Sequence, residues 1–424
     1  MSRKLLISAG IILWCAFTAS AESLENNRNG VQAMEAGRFD EAIACLSQAW
    51  QERPDNDIIK NNLAVAYNNA AMDYEKKGDF DTARAYLQKA AALAPDAPAV
   101  KKNLAVLLTN ESIRRYNAKT GDDIAGMLKD ALDYDDSLAP THVLLGQVYY
   151  DQDDYAQAKE QWEKALQLDP ARDDVQKKLD KLNREMAGDD HLREQDQLHF
   201  KVRYEGDVAW TASRAVLDML EDAYTEAGHK FGVYPAEPLT VIIYTQEQFR
   251  AVSGMPDWFA GEYDGKIRLR RSDVEGDQKR LRQIVYHEYM HAFVHSVAGN
   301  NVPTWFNEGI AQCCENMPGQ PALNPDEMRF LKNRLAGGVP DMAQIDRFFA
   351  SRGSEEDVQF AYVYSKAFVA YLITRGWDYN ILNVLNELKE GTSIDAAITA
   401  YFFRNVEQLR DDWLFELKQN KGAP

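Results

Sequence analysis

The sequence predicts an all-α helical-repeat solenoid followed by an α+β domain. Three observations carry that reading. A motif of small and apolar residues returns along the first 187 positions, strand-like alternation is almost absent there, and after residue 197 period-two segments give way to long helical patterns. A chain of 424 residues also exceeds one typical domain, so two folded units are expected.

The repeat is explicit. Gly37-Arg38-Phe39-Asp40-Glu41-Ala42, with Leu46, Ala49 and Pro54, returns as Gly78-Asp79-Phe80-Asp81-Thr82-Ala83 with Leu87, Ala90 and Pro95. It returns again at Asp154-Tyr155-Ala156-Gln157-Ala158, with Trp162, Ala165 and Pro170, and this copy adds Leu145, Gly146 and Tyr149. The pattern resembles tetratricopeptide repeats, paired helices packed through alanines and ended by a proline. Ala42 and Ala83 are further apart than the usual period of about 34 residues, which predicts a lengthened helix around Asn61 to Lys76. A degenerate copy is expected over 98–137, with Ala125, Leu128 and Ala131 in the key positions. The stretch from Arg172 to Met186 reads as a capping helix with Val175, Leu179 and Leu182 on its apolar side. Such a stack implies a concave surface for a protein partner; the alternative is a spacer. Residues 22–187 are thus read as the array, and the polar segment 188–197 as a linker.

Arg3 and Lys4, the apolar run Leu5 to Phe17, and Ala19-Ser20-Ala21 before Glu22 read as an export signal over 1–21. The expected location is periplasmic or secreted, with no stable membrane span after cleavage; an uncleaved anchor is the alternative. Cleavage would leave Cys45, Cys313 and Cys314, too few for a disulfide framework. A formal net charge of −18 argues against nucleic-acid partners.

In the second half, 198–424, Phe200, Val202 and Tyr204 alternate with polar residues and predict a strand. Ala212 to Lys230 has helical spacing, and Leu239 to Tyr244 is a β-prone run expected at the sheet centre. Lys266 to Arg270 alternates after the turn dipeptide Asp264-Gly265 and is expected at the sheet edge, where an extended peptide could lie. A long helix opens near Asp277 and runs to Ala298. The sharp change at 187–197 predicts that 198–424 is self-contained.

That helix contains His287-Glu288-Tyr289-Met290-His291. Residues four apart share a helix face, so both imidazoles can converge on one ion, and Glu288 can serve a water there without ligating. Nitrogen donors point to zinc, though geometry alone leaves cobalt and manganese open. After a loop at Gly299-Asn300-Asn301, the segment Pro303-Thr304-Trp305-Phe306-Asn307-Glu308 brings back a glutamate that can supply a third ligand, leaving a fourth position open. One zinc ion per chain is expected.

These segments resemble the gluzincin metallopeptidases, in particular peptidase MA-like domains found beside helical repeats. The resemblance implies a zincin-like α+β metallopeptidase fold, with His287, His291 and Glu308 as metal ligands and Glu288 as catalytic base. It also implies a tyrosine that steadies the oxyanion, and Tyr362 aligns better than Tyr364. Two departures stand out. Val297 occupies the position where a metzincin would place a third histidine, and Gln312 the position where thermolysin-like members place an aspartate; Glu315 is the candidate substitute. The expected activity is zinc-dependent hydrolysis of peptide bonds in a peptide or protein substrate. The alternatives are an inactive peptidase-like domain within an interaction scaffold, and a structural zinc site completed by Cys313 or Cys314.

Overall fold

The computed structural model describes residues 21–118, 123–189, 192–205, 210–236, 238–253, 261–319, 321–350 and 354–419. The expected export signal, apart from Ala21, lies outside the described residues. The chain divides into two compact units. Among described residues, the first gathers 21–113, 123–148 and 164–170, and the second 114–118, 149–163 and 171–419.

Among the described residues nine helices precede the first strand: α1 Ala21–Glu35, α2 Phe39–Glu52, α3 Asp57–Lys76, α4 Phe80–Leu93, α5 Pro98–Asn117, α6 Ile124–Tyr134, α7 Ala139–Asp151, α8 Tyr155–Leu168 and α9 Asp173–Asp189. The lengthened helix is α3, at 20 residues. Side chains before the helices start them: Asn56 accepts from the Ile58 and Ile59 amides, and Asp79 from Thr82. Within the first unit the repeated alanines do what the motif implies. Ala42, Leu46, Ala49, Ala83, Leu87 and Ala90 are fully buried, and Gly30 of α1 lies so close to α2 that a Cβ there would sit 2.5 Å from Leu46 Cγ. A polar ladder runs beside the alanines. Asn62 donates to Asn27 at 2.9 Å, Asn103 to Asn68 at 2.7 Å and Asn110 to Glu75 at 2.6 Å. Each bond joins the first helices of neighbouring repeats.

The second unit is built on a five-stranded sheet of order β1-β2-β3-β5-β4: β1 Leu192–Gln197, β2 Phe200–Glu205, β3 Leu239–Tyr244, β4 Gly261–Tyr263 and β5 Ile267–Arg270. The pairs β2–β3 and β3–β5 are parallel, and the outer pairs antiparallel. Between the strands lie α10 Trp210–Phe231 and α11 Gln246–Ser253, and after them α12 Arg271–Val274. Then come α13 Gln278–Ala298, α14 Thr304–Cys314, α15 Pro325–Ala336, α16 Met342–Ala350, α17 Glu355–Lys389, α18 Ile394–Phe402 and α19 Val406–Lys418.

Alternation sorts the sheet's two faces. Val202, Val241 and Ile267 share one register line and, with Phe200, Ile243 and Leu269, join the main core with buried residues of α10 and α13. The next line, Arg203, Ile242 and Arg268, faces the other way. That outer face is cationic yet covered. Arg268 is fully buried, with Nη2 donating to Glu185 at 2.7 Å and to the Tyr150 hydroxyl at 2.8 Å. Lys266 donates to the Tyr155 hydroxyl at 2.7 Å and pairs with Asp153.

Three expectations change. The linker read at 188–197 is strand β1 over Leu192–Gln197, paired along its length with β2; an edge strand held by backbone bonds needs little apolar signal. The strand following Lys266, β5, is internal, and the sheet's edges are β1 and β4. The compact unit that holds the strands does not begin at 198, because 149–163 and α9 belong to it. The apolar stripe of α9, Val175, Leu179 and Leu182, is buried as expected, and Glu185 on the same helix is buried with it.

Candidate metal centre

Helix α13 starts where Asp277 accepts from the Arg280 amide at 2.8 Å. It is packed nearly all round, with Leu281, Val285, Tyr286, Met290 and Phe293 buried. His287, Glu288 and His291 are thereby held on a rigid support. Helix α14 follows, and its first turn is capped from a distance: Asp346 of α16 accepts from the Trp305 amide at 2.9 Å. It runs tightly against α17, since a Cβ on Gly309 would stand 2.4 Å from Val369 Cγ2 and 2.7 Å from the Ser365 carbonyl oxygen. These contacts fix Glu308.

The three residues meet. His287, His291 and Glu308 each offer one ligand atom within 4.8 Å of the others. The two Nε2 atoms are 3.1 Å apart, and Glu308 Oε2 is 3.5 Å from each. That oxygen is buried and makes no hydrogen bond. A buried carboxylate oxygen without a donor is costly unless a cation or a proton answers it. Each imidazole is held through its other nitrogen: His287 Nδ1 bonds Glu315 at 2.9 Å, and His291 Nδ1 bonds Asn307 Oδ1 at 3.1 Å. With Nδ1 donating, Nε2 turns its lone pair toward the centre of the group.

The electrostatics agree with the geometry. Burial works against charge on His287, but the Glu308 and Glu315 carboxylates outweigh it and raise its pKa well above the ordinary value. His291 shifts the same way against the same opposition, chiefly through Glu308. Burial also opposes the Glu308 carboxylate, yet the two imidazoles hold it well below the usual carboxylate range. A group arranged like this takes up protons or one cation. Glu288 differs: burial is the leading influence on it and raises its pKa. A Cβ on Gly261 of β4 would lie 2.7 Å from Glu288 Oε1, so the strand's backbone rests on that carboxylate.

The Peptidase MA superfamily profile matches residues 274–419, and tetratricopeptide repeat profiles match 28–70, 64–97 and 139–172. The chain carries tetratricopeptide repeats followed by a peptidase MA-like domain. The strands β1 to β5 all precede the span matched by the peptidase MA profile. No curated protein matches the chain. Among solved structures, a MamA protein crystal structure is 18% identical, covering 40% of this chain and 85% of that one with a TM-score of 0.27. MamA 41-end from Desulfovibrio magneticus RS-1 is 15% identical, covering 40% and 87% with a TM-score of 0.26.

The other residues singled out in the sequence lie as follows. Tyr362 on α17 is shifted upward first by burial and then by the Glu308, Glu288 and Glu315 carboxylates, so it stands in their field. Tyr364 is fully buried elsewhere, its ring edge-on to Trp413 at 5.0 Å. His295 bonds the Tyr263 hydroxyl at 2.9 Å and is not part of the group. Glu315, the candidate substitute for the carboxylate absent at Gln312, is the residue that bonds His287 Nδ1 at 2.9 Å. Neither Cys313 nor Cys314 joins the group; Cys313 points its thiol at the Lys366 carbonyl at 3.5 Å. Asn307 was missed by sequence reasoning. Its place immediately before Glu308 was the available signal, because a residue next to one ligand can reach another.

Proposed function

We propose that the peptidase MA-like domain is a zinc-dependent peptidase holding one zinc ion per chain, in an exported protein, periplasmic or secreted, whose repeats recruit a protein partner or the substrate on their concave surface. The observation that supports this most is the triangle of donor atoms with sides of 3.1, 3.5 and 3.5 Å. Its centre lies about 2 Å from each corner, matching zinc–nitrogen and zinc–carboxylate bonds of roughly 2.0–2.2 Å. The unanswered Glu308 Oε2 supports the same donor set.

Zinc bound by His287, His291 and Glu308 would supply Lewis acidity to the scissile carbonyl and bring a water's pKa toward ~7. Glu288 would take the proton of the attacking water and pass it to the leaving nitrogen. The Tyr362 hydroxyl would donate to the developing oxyanion. Glu315 and Asn307 would keep the imidazoles in one tautomer and orientation. Strand β4, at the sheet's edge and against Glu288, is where an extended peptide could add. Among the described residues no helix is long and apolar enough to cross a membrane.

Metal analysis of protein never exposed to chelator tests the reading. One zinc per chain is expected, lost in His291→Ala, while Glu288→Gln keeps zinc and loses hydrolysis of peptides that the wild type cuts. Absence of zinc above background would overturn it. Zinc without hydrolysis in the wild type would favour an inactive scaffold.

A further inference from the structure

We propose that α9, the helix after the last repeat, sets the position of the β4–β5 hairpin against Glu288, which makes Lys181 and Glu185 positioning residues for the reaction. This rests on the peptidase reading above.

The hairpin is held at two ends. At the site end, the Gly261 backbone lies on Glu288, with no room for a Cβ between them. Tyr263, on the same strand, bonds His295 in the last turn of α13. At the other end is the turn that joins β4 to β5. Its Asp264 pairs with Lys181 of α9 and with Arg268 of β5. Arg268 in turn is bound by Glu185, one helical turn beyond Lys181, and both side chains are fully buried. The Tyr150 hydroxyl donates to the same Glu185 carboxylate at 2.8 Å.

Two residues of one helix therefore grip the turn and the inner strand together. Asp264 is three positions from Gly261, roughly 10 Å along an extended chain. A strand is stiff over such a length, so a shift at the turn is carried to the backbone that rests on Glu288. Buried ion pairs are weak contributors to stability but strong setters of geometry when every partner is satisfied. Lys181 and Asp264 are only partly buried, at 23% and 25% side-chain exposure, and with Asp264 altered the buried Arg268 still keeps Glu185 and the Tyr150 hydroxyl.

Arg268 and Glu185 lie in the core, where replacement threatens folding, so the test uses Lys181→Met and Asp264→Asn, with Lys181→Arg as the charge-preserving control. Hydrogen exchange of the 261–270 segment, zinc content, thermal midpoint and turnover of a dye-quenched unfolded casein are measured on the full chain. Lys181→Met and Asp264→Asn should speed exchange at 261–266 about tenfold. They should lower kcat about tenfold. Zinc content and midpoint stay near wild type, and Lys181→Arg retains both exchange protection and turnover. Unchanged exchange in Lys181→Met, or equal losses in Lys181→Arg, would overturn the proposal. If the wild type holds no zinc and cuts no casein, the peptidase reading falls by itself, and the exchange of 261–266 still decides whether α9 sets the hairpin.

Discussion

His287 Nδ1 lies 2.9 Å from a Glu315 carboxylate oxygen, although Glu315 sits at the very end of α14, two turns past Glu308. One short helix thus reaches the same pair of histidines twice, once directly and once from behind. Glu315→Ala should weaken zinc binding by roughly 10–100-fold, and Glu315→Gln, which keeps an acceptor, by less. Competition against a chelator of known affinity measures this. Equal affinity in all three proteins would show that His287 needs no such partner.

Tyr362 and Tyr364 are two positions apart on α17 and face different surroundings. Tyr362→Phe should lower kcat by about 10²–10³ with zinc content unchanged, as removal of an oxyanion donor does. Tyr364→Phe should leave kcat near wild type, because its ring packs on Trp413 and Phe360. The opposite pattern would move the role to Tyr364.

Gly309 allows α14 to lie against α17. In Gly309→Ala the new Cβ meets the Ser365 carbonyl, which is backbone and cannot swing aside. A destabilisation of about 1–3 kcal/mol is expected. Thermal and denaturant unfolding read it directly; a midpoint equal to wild type would mean that the two helices separate freely.

Burial drives the Cys314 thiol up to about 12 and raises Cys313 well above its ordinary value. Iodoacetamide labelling followed by mass spectrometry should find both unmodified in the native protein and modified in denaturant. The sign of the pH effect follows. Above pH 9 the unfolded thiols ionise while the folded ones keep their protons, so the native state binds more protons. Stability contributed by these groups is full below that range and falls as pH rises toward about 12. Rapid labelling of Cys314 in the native state at pH 9 would contradict this.

The parts of the fold that rest on local chemistry were legible. Asp277 announces the start of α13, the spacing of His287 and His291 fixes their shared face, and the drawn-out repeat between Ala42 and Ala83 shows α3. Glu315 could be named because the thermolysin-like position is Gln312. The parts that depend on distant partners were not. Strand β1 has Leu192 and little else apolar, since β2 holds it by backbone bonds. Lys266 and Arg268 alternate with apolar residues as in a strand at a sheet edge, and they are buried because Asp153, Tyr155 and Glu185, far back in the sequence, cover them. Asn307 looks like an ordinary polar residue of a helix's first turn until the fold brings His291 beside it.

The covered outer face of the sheet also sets what can be moved between proteins. The peptidase MA-like profile begins at residue 274, and the strands add the sequence from 192. A transplant cut at 198 would nevertheless uncover Lys266 and Arg268 together and take away Glu185, leaving Arg268 with Asp264 alone. The compact unit is therefore longer than its signature: it takes in the last repeat from Tyr149 to Glu163 and, among described residues, 114–118 as well. Because Glu185 precedes Arg268 by 83 residues, the cover leaves the ribosome first and waits for the strands it will close over.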